Sequence, residues 1–578
     1  MRSSGSSRIS TKPRRAKTSA ADQTPSLARS LRHETLFAGM VAALLSLLAF
    51  GYCYQHNLLL LYGDAVAHLH IARRILDSLN PGIRQIGSVW LPFPHLLMMP
   101  FAMRMVWWQS GIAGAIPSMA CYVLAVAGLW RLARYWLRPA GAVVATLFFA
   151  LNPGLLYMQT TAMTEPLFLC QIVWSTLFLT AFLRALRAGN STTAGRALAA
   201  CGVVLFTAIF TRYDGWIFAS CVWLIAAAAL WKARGPQLRA WKSRAGGAFV
   251  LFTALLITGP VLWFAWNARQ YGDWLDFMRG PYSAKAIDIR TSPPGSPHYP
   301  GWHSLRVAEL YFLKAAELGM APERWCNLLL LLALAGLIAA LIKWRKCTIL
   351  PVLLLWMPAP FYAYSVAYGS VPIHIPLWWP HSWYNTRYGM EMLPAFAVSL
   401  GFLIARLMSF VERRWPRNAV PPGTPPREPA SYAPLLLLAA IVLIILDSSA
   451  LIRGTPLVLA EAIQNARTRV PFEAAYARAL DQLPPQGPIL VWTSDHIGAF
   501  QRAGIPLRRT INETDYYQWK AALDHPAQSA RWVIASGNDA VAAAVAAHPQ
   551  GLTLLNIVCS TGQPCVRFYQ SALYAPHP

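Results

Sequence analysis

Residues 36–54 read LFAGMVAALLSLLAFGYCY, an apolar run without a charged side chain. An α-helix of about 20 apolar residues crosses the ~30 Å hydrocarbon core of a bilayer, and this run has about that length. The run is long for the apolar region of a cleaved signal peptide, and it lacks a clear small-residue cleavage site. We therefore predict that it forms a transmembrane helix with its N-terminus inside the cell.

The whole chain has the composition of a membrane protein. Of its 578 residues, 56% are hydrophobic and only 13% are charged, whereas soluble domains carry about 25% charged residues. Such a chain cannot cover a water-facing surface. We predict an α-helical polytopic membrane protein with about 11 transmembrane helices. The predicted spans are 36–54, 111–130, 140–158, 166–183, 197–211, 215–231, 246–266, 326–342, 348–366, 389–408 and 433–452.

The positive charge follows the predicted topology. The formal net charge is +26, from 50 Lys and Arg against 24 Asp and Glu. Residues 1–34 form a basic tail that we expect to be disordered and cytoplasmic. Alternation of the spans then places the basic connectors on the cytoplasmic side as well, as the positive-inside rule requires. No nucleic-acid partner is needed to explain the charge. The sequence predicts a multi-pass protein of the inner (plasma) membrane with a periplasmic or extracellular C-terminus.

The outer side receives the polar residues that could carry chemistry. We expect juxtamembrane helices at about residues 64–105 and a long outer loop at about 267–325. The apolar spacing of the first juxtamembrane helix is amphipathic, which is typical of a helix at the membrane interface. Asp64 at its start is either a helix N-cap or a general base. His68 and His70 are interpreted as interfacial polar groups, because alternate positions on a helix point apart and cannot share a metal.

Four motifs follow one another on the outer side. They are Gly63-Asp64 after the first span, Thr164-Glu165-Pro166-Leu167-Phe168 at the fourth, Thr211-Arg212-Tyr213-Asp214-Gly215-Trp216 between the fifth and sixth, and Tyr384-Asn385-Thr386-Arg387-Tyr388-Gly389 at the tenth. In order and placement they resemble the GT-C superfamily of membrane glycosyltransferases, nearest to the protein O-mannosyltransferase and aminoarabinose-transferase type. The resemblance covers about residues 36–450 and implies a GT-C-like transmembrane domain at 35–452.

The resemblance implies an enzyme that moves a sugar from a polyprenyl-phosphate donor to a lipid, glycan or protein acceptor on the outer face. No Gly-rich phosphate loop for a nucleotide sugar occurs on the cytoplasmic side, which agrees with a donor delivered in the membrane. Asp64 would be the general base of an inverting reaction, with Glu165 in the same catalytic centre. Arg387 and Arg212 would bind the donor phosphate. The substrate-binding candidates are His68, Tyr213, Asp214 and Tyr388.

These residues also have other interpretations. Either arginine can be an interfacial anchor that extends to water, Glu165 can favour the helix dipole, and Asp214 can simply pair with Arg212. No Asp-Glu or Asp-X-Asp pair accompanies Asp64, so no metal ligand is assigned, and a divalent metal stays an open alternative. Two further functions also stay open: a lipid or sugar transporter or flippase, and a surface-polysaccharide polymerase or ligase. A transporter would continue its polar groups through to the cytoplasmic side.

The last part of the chain has an ordinary soluble composition. We predict an extracytoplasmic α/β domain at residues 453–578. Its predicted elements are strands at 489–492 and 532–535, a helix at 539–547, and a hairpin formed by 552–559 and 566–569. Cys559 and Cys565 flank the turn of that hairpin, within reach of a disulfide that an outer compartment would favour. Two free thiols near a loop are the alternative.

Overall fold

The computed structural model describes residues 23–233, 243–292, 295–343, 349–414, 433–494 and 496–575. Most of the predicted basic tail lies outside these ranges. For residues 23–34 the expected disorder is corrected, because the first helix already begins at Gln23. Glu34 pairs with Arg134 of a neighbouring helix at 3.0 Å, which ties this extension to the bundle.

The membrane part consists of helices joined mostly by short connections. In chain order they are α1 (Gln23–Gln55), α2 (Gly63–Arg74), α3 (Phe93–Ala102), α4 (Met105–Ser110), α5 (Ile112–Arg134), α6 (Pro139–Ala150), α7 (Pro153–Met158), α8 (Glu165–Arg187), α9 (Ser191–Ile209), α10 (Asp214–Lys232), α11 (Arg244–Tyr271), α12 (Asp276–Arg279), α13 (Ala284–Thr291), α14 (Leu305–Met320), α15 (Cys326–Lys343), α16 (Leu350–Leu354), α17 (Pro358–Tyr368), α18 (Leu393–Arg414) and α19 (Ala433–Arg453). Ile83–Ile86 and Thr386–Met392 are 3-10 helices.

The long helices follow the predicted spans. Within the described ranges, ten helical segments are long and apolar enough to cross a membrane, and they match ten of the eleven predicted spans. One of these segments, Leu350–Tyr368, consists of α16 and α17 joined by a turn. The polytopic helical fold class is thereby confirmed. The exception is the predicted span at 140–158, which is divided into α6 and α7. Asn152 accepts a hydrogen bond from the Leu155 N–H at 3.0 Å, and Pro153 has no N–H to donate, so one helix ends and another begins there.

Small residues let the spans approach closely. A Cβ added to Gly336 of α15 would lie 1.9 Å from the carbonyl oxygen of Ser399 on α18. A Cβ on Gly401 of α18 would lie 2.7 Å from the carbonyl oxygen of Gly141 on α6. Helix α18 is thus held between α15 and α6, while α8 packs on α5 and α9, and α9 packs on α11.

Helix α2 is enclosed by protein. Eight of its 12 residues are buried, His68 and His70 among them, because α3, α5 and the C-terminal part of the chain pack around it. The expected interfacial helix with surface histidines is therefore corrected. The N-cap is Tyr62, and no side chain caps the helix. The interpretation of Asp64 as an N-cap is accordingly wrong.

The long outer loop is largely helical. Helix α14 packs against α17 and against the 3-10 helix Thr386–Met392. Gly389 of that 3-10 helix approaches α14 so closely that a Cβ on it would lie 2.5 Å from the Ala316 nitrogen. This contact holds the segment that carries Arg387 against the bundle.

The C-terminal part begins with a long helix and continues as an α/β sheet. Its elements are α20 (Leu457–Asp481), β1 (Ile489–Val491), α21 (Ile497–Ala503), β2 (Thr510–Ile511), α22 (Trp519–Asp524), α23 (Pro526–Ser529), β3 (Trp532–Ser536), α24 (Ala540–Ala547), β4 (Leu552–Ser560) and β5 (Gln563–Ser571). The sheet order is β2-β1-β3-β5-β4. Strand β1 pairs in parallel with β2 and β3, and β5 is antiparallel to β3 and β4. The predicted small α/β fold is present, with β2 as an added strand.

Strands β4 and β5 form the hairpin expected from the sequence. The sulfur atoms of Cys559 and Cys565 are bonded at 1.96 Å, with the two Cα atoms 4.3 Å apart. The other cysteines of the described residues are free thiols and lie within the helices of the membrane part. The bonded pair therefore belongs to the C-terminal sheet alone.

Candidate active site

The polar residues singled out in the sequence meet around one cavity of about 250 Å³. They come from separate segments of the chain, so this meeting is a product of tertiary folding. The lining includes Asp64, His68, Glu165, Arg212, Tyr213, Asp214, Arg387 and Tyr388, which are all eight of the predicted catalytic, phosphate-binding and substrate-binding residues.

The cavity lies where several helices begin. Asp64 is the second residue of α2, Glu165 is the first of α8, and Asp214 is the first of α10. Arg387 is the second residue of the 3-10 helix that leads into α18. Because the N-terminus of a helix carries partial positive charge and unpaired N–H groups, helix starts suit carboxylates and other anions.

Arg387 is surrounded by three carboxylates. Its Nη2 donates to Asp64 Oδ2 at 2.7 Å, and its Nη1 donates to Glu461 Oε1 at 2.8 Å. Its Nε lies 3.3 Å from Glu165 Oε1. The Asp64 side chain is 43% exposed, whereas those of Glu165 and Glu461 are 1% and 5% exposed. Arg387 is therefore fixed by two buried carboxylates, and Asp64 is the partner that is accessible to solvent.

Arg212 belongs to a second network of buried groups. Its Nε lies 3.1 Å from Asp214 Oδ2, so the ion pair considered for Asp214 in the sequence is present. Its Nη2 donates to the Tyr362 hydroxyl at 2.7 Å and lies 3.1 Å from Glu391 Oε1. The Tyr362 hydroxyl in turn donates to Glu391 Oε1 at 2.7 Å. All the carboxylates around Arg212 are buried, in contrast to the exposed Asp64 at Arg387.

Glu165 connects the two arginines. Its Oε1 lies 3.3 Å from Arg387 Nε and 3.4 Å from Arg212 Nη1. Its Oε2 has no hydrogen-bond partner among the residues described. A shared carboxylate offsets the repulsion between two buried cations. Both arginines are held inside the protein by ion pairs, so the interpretation as anchors extending to water does not describe them.

His68 lines the cavity as part of a buried aromatic group. Its Nδ1 lies 2.9 Å from His95 Nε2, and its ring centroid lies 4.2 Å from that of Trp90. Burial, together with the charges of Arg387 and Arg212, lowers the pKa of His68 from 6.5 to about 3. Burial also holds the pKa of His95 well below its usual range. His68 is therefore uncharged near neutral pH.

The two tyrosines of the predicted set occupy different positions. The Tyr388 ring centroid lies 5.0 Å from Arg387 Cζ and 5.1 Å from Arg212 Cζ, within the range of cation–π interaction for both. Tyr213 donates its hydroxyl to the Val89 carbonyl at 2.6 Å. Tyr388 thus faces both cations, while Tyr213 ties the start of α10 to the juxtamembrane segment.

The carboxylates of the cavity are organised around arginines. In the part of the chain that the structure describes, no group of three His, Cys, Asp or Glu side chains is arranged to hold a metal ion. Asp64, Glu165 and Glu461 instead share the guanidinium group of Arg387. The guanidinium groups of Arg387 and Arg212 line the cavity, and N–H donors of this kind bind anions.

The sequence argument did not identify Glu461, Glu391 or Tyr362. Glu391 has a readable signal, because it is a carboxylate at the apolar start of the tenth span, where an ionisable residue is costly. Tyr362 has a weaker signal as a hydroxyl within the ninth span. Glu461 has none, since a glutamate on a polar helix after the last span looks like an ordinary surface residue.

No family model matches the chain, and no curated protein matches its sequence. ArnT from Cupriavidus metallidurans bound to undecaprenyl phosphate matches with 14% identity and a TM-score of 0.54, over 94% of this chain and 99% of that chain. Its apo structure matches with 14% identity and a TM-score of 0.52, over 97% and 100%. The oligosaccharyltransferase AglB from Archaeoglobus fulgidus, in complex with an inhibitory peptide and a dolichol-phosphate, matches with 13% identity and a TM-score of 0.43, over 87% and 69%. The chain therefore has the fold of ArnT over nearly its whole length.

Proposed function

We propose that the chain is a membrane glycosyltransferase that moves a sugar from a polyprenyl-phosphate donor to the hydroxyl group of a lipid, glycan or protein acceptor. The fold supports this class, because the matching ArnT structure is bound to undecaprenyl phosphate, a lipid of the proposed donor type. The observation that carries the proposal is the cavity in which the exposed carboxylate of Asp64 faces the buried cations Arg387 and Arg212.

The donor phosphate is proposed to bind at Arg387. Phosphate oxygens form strong, charge-assisted hydrogen bonds with guanidinium groups. Of the three partners of Arg387, only Asp64 is exposed, so Asp64 is the partner that a phosphate displaces with the smallest loss of buried contacts. Arg212 keeps its buried partners and adds positive charge to the same cavity.

Displacement from Arg387 frees Asp64 to act as a general base. Asp64 takes the proton of the acceptor hydroxyl while that oxygen forms a bond to the anomeric carbon of the sugar. The bond from this carbon to the phosphate oxygen breaks on the opposite face, so the configuration is inverted. The electron pair of the broken bond stays on the polyprenyl phosphate, where Arg387 and Arg212 stabilise the charge.

The other cavity residues are assigned to positioning and recognition. Glu165 and Asp214 hold Arg212, and Glu165 also holds Arg387, so both carboxylates act through the arginines. His68 is neutral and can form a hydrogen bond with the sugar or the acceptor without adding charge. Tyr388, which faces both guanidinium groups, is placed next to the bound phosphate.

We place the cavity on the outer face of the inner membrane, with the N-terminus in the cytoplasm and the C-terminal sheet in the periplasm. Helices α5, α8, α10, α15 and α18 each carry Lys or Arg in the last turn. These helices start on the side of the outer segments and end on the basic side, in agreement with the positive-inside rule. The donor would then reach the site within the membrane.

The distribution of charge favours a transferase over a transporter or flippase. Charged side chains of the described spans lie toward the span ends, with Arg406 of α18 and Asp447 of α19 the farthest from an end. Polar groups thus gather in a cavity at one side and do not continue along the spans as charged residues. A surface-polysaccharide polymerase or ligase would use the same donor chemistry and differ in its acceptor.

Two measurements test the proposal. Purified protein in detergent should bind undecaprenyl phosphate, and free phosphate should compete only weakly because it lacks the lipid chain. Mass spectrometry of envelope lipids and glycans, with and without the protein, should show a glycan or lipid that loses one sugar when the protein is absent. A protein that binds no polyprenyl phosphate and leaves the envelope unchanged would contradict the proposed function.

A further inference from the structure

The carboxylate of Glu461 holds three consecutive residues of the segment that carries Arg387. Its Oε1 accepts hydrogen bonds from the Asn385 N–H at 3.0 Å and from Arg387 Nη1 at 2.8 Å. Its Oε2 accepts from the Thr386 N–H at 2.8 Å and from the Thr386 hydroxyl. Glu461 is buried, so water has little access to these four hydrogen bonds. One side chain from the C-terminal part therefore organises the turn next to the cavity.

The turn at Asn385 and Thr386 has a backbone conformation that a carboxylate can stabilise. Asn385 has a φ of 54°, in the left-handed region that non-glycine residues seldom adopt. Successive N–H groups in a turn of this kind can point toward one anion, as those of Asn385 and Thr386 do toward Glu461. The carboxylate thus stabilises a backbone conformation that is costly by itself.

The same face of α20 also holds the segment that leads to Asp64. The carbonyl of Val458 accepts a hydrogen bond from the Tyr62 hydroxyl at 2.7 Å. Asn465, which follows Glu461 on the same face of the helix, makes the next contact. Asn465 accepts from the Gly63 N–H at 2.9 Å. One turn further on, Arg469 donates to the carbonyls of residues 60 and 61 at 2.8 and 2.9 Å. Both halves of the Asp64–Arg387 pair are therefore fixed by one helix of the C-terminal part.

We propose that Glu461 is a positioning residue for the donor phosphate. It fixes the guanidinium plane of Arg387 and directs Nη2 toward Asp64, the partner that the donor phosphate displaces. This inference rests on the proposed binding of polyprenyl phosphate at Arg387. It also gives the C-terminal part a function, since α20 completes a site whose other residues come from the membrane part.

The direction in which Glu461→Gln changes phosphate affinity distinguishes a positioning role of Glu461 from a role in neutralising the charge of Arg387. A glutamate that only neutralised Arg387 would compete with phosphate, so its replacement by glutamine would strengthen phosphate binding. If Glu461 positions Arg387, its replacement by glutamine should weaken phosphate binding. The carboxamide of glutamine has one acceptor oxygen and an NH₂ group that faces N–H donors, so the turn loses some of its four hydrogen bonds. Arg387 then loses its fixed orientation.

The experiment measures undecaprenyl phosphate binding to the purified full-length protein in detergent micelles. For Glu461→Gln we expect the Kd to rise about tenfold, comparable to the loss of one charge-assisted hydrogen bond. Asp64→Asn removes one negative charge from the same guanidinium group without disturbing the turn, so its Kd should fall. The matched control is Glu34→Gln, which changes a partly buried glutamate that pairs with Arg134 at 3.0 Å and does not line the cavity. Its Kd should equal that of the parent.

The possible outcomes distinguish a failure of the positioning role of Glu461 from a failure of the proposed function. If the parent protein binds undecaprenyl phosphate and Glu461→Gln binds it equally well or more tightly, the inference is overturned. A lower melting temperature with an unchanged Kd would also overturn it, because Glu461 would then be only structural. If the parent itself does not bind, the proposed function fails. Should Glu461→Gln not fold, Thr386→Val removes one of the four hydrogen bonds without changing charge, and an unchanged Kd there would overturn the inference.

Discussion

The Nη2 atom of Arg387 and the Oδ2 atom of Asp64 lie 2.7 Å apart, although 323 positions separate the two residues in the chain. The pair joins the start of the first juxtamembrane helix to the start of the tenth span. The Asp64 side chain is half-exposed, whereas the Arg387 side chain is buried. Asp64 stays accessible to water when the pair opens, so its release from Arg387 costs less than the release of a buried carboxylate would.

The first prediction concerns the proposed base. Asp64→Asn should lower kcat by about 10²–10⁴-fold, because the amide cannot accept the proton of the acceptor hydroxyl. The same variant should bind undecaprenyl phosphate more tightly, by up to about fivefold, since an exposed competing charge is removed. Product formation and lipid titration measure the two effects. Near-normal turnover would remove Asp64 from the role of base, and weaker binding would contradict its displacement by phosphate.

The second prediction concerns the phosphate ligand. Arg387→Ala should weaken undecaprenyl phosphate binding more than Arg387→Lys, because lysine keeps the charge but not the fork of donors. The alanine variant should also lose stability, by about 3–5 kcal/mol, since Glu461 would stay buried without its cation and Glu165 would keep only Arg212. Titration of the folded fraction and thermal unfolding separate the two effects.

A matched control for that comparison is Arg279→Ala. Arg279 is an exposed outer-loop arginine that lies 3.7 Å from Asp273, and it does not line the cavity. The Arg279→Ala variant should bind undecaprenyl phosphate with the same Kd as the parent protein. If both Arg387 variants also bind the lipid like the parent, Arg387 is not the phosphate ligand.

The third prediction concerns pH. The folded protein holds the pKa of His68 at about 3, against 6.5 for a free side chain. Between these values the unfolded chain binds more protons, so the contribution of His68 to stability is complete above about pH 6.5 and is lost as pH falls through this window. His68→Gln keeps a neutral polar side chain and removes this titration. Its melting temperature should fall less than that of the parent between about pH 7.5 and about pH 5, where one such group contributes up to ~1.4 kcal/mol per pH unit. An identical pH dependence would mean that His68 is not held neutral.

The fourth prediction concerns helix packing. Gly336→Ala should destabilise the protein by about 1–3 kcal/mol or more, because the added methyl group would meet the Ser399 carbonyl oxygen at 1.9 Å. Gly247→Ala is the control, since Gly247 lies in α11 with no atom within 4 Å of an added Cβ. Thermal unfolding in detergent should show a loss for the first variant and none for the second. Equal stability of both would contradict the close approach of α15 and α18.

The fifth prediction concerns topology and redox state. The Cys559–Cys565 disulfide closes a short loop and should contribute about 1–3 kcal/mol to the C-terminal sheet. In intact cells, a membrane-impermeant maleimide should label these cysteines only after reduction. A variant with both cysteines changed to serine controls for labelling elsewhere. Labelling that requires permeabilised membranes, with both thiols already reduced, would place the C-terminal sheet in the cytoplasm and reverse the proposed orientation of the cavity.

Local sequence properties were sufficient for most of the fold. The run at 36–54 and nine other spans were readable because partition into lipid depends on the apolar side chains within one segment. The division of the span at 140–158 has a local cause too, the capping Asn152 followed by Pro153, but an average of hydropathy over the whole segment conceals it. Local chemistry also indicated Asp64, Glu165, Arg212 and Arg387, since charged residues at the ends of spans stand out against an apolar background.

Amino-acid order alone thus indicated ten of the spans, the charge asymmetry and eight of the residues that line the cavity. Tertiary packing decided which of those residues contact one another. It placed Asp64 on Arg387, put His95 behind His68, and brought Glu461 from beyond the last span to the turn that carries Arg387. The reason is physical: hydropathy is a property of each segment in its solvent, whereas an ion pair or a shifted pKa depends on distances between atoms, and those distances exist only after the chain has folded.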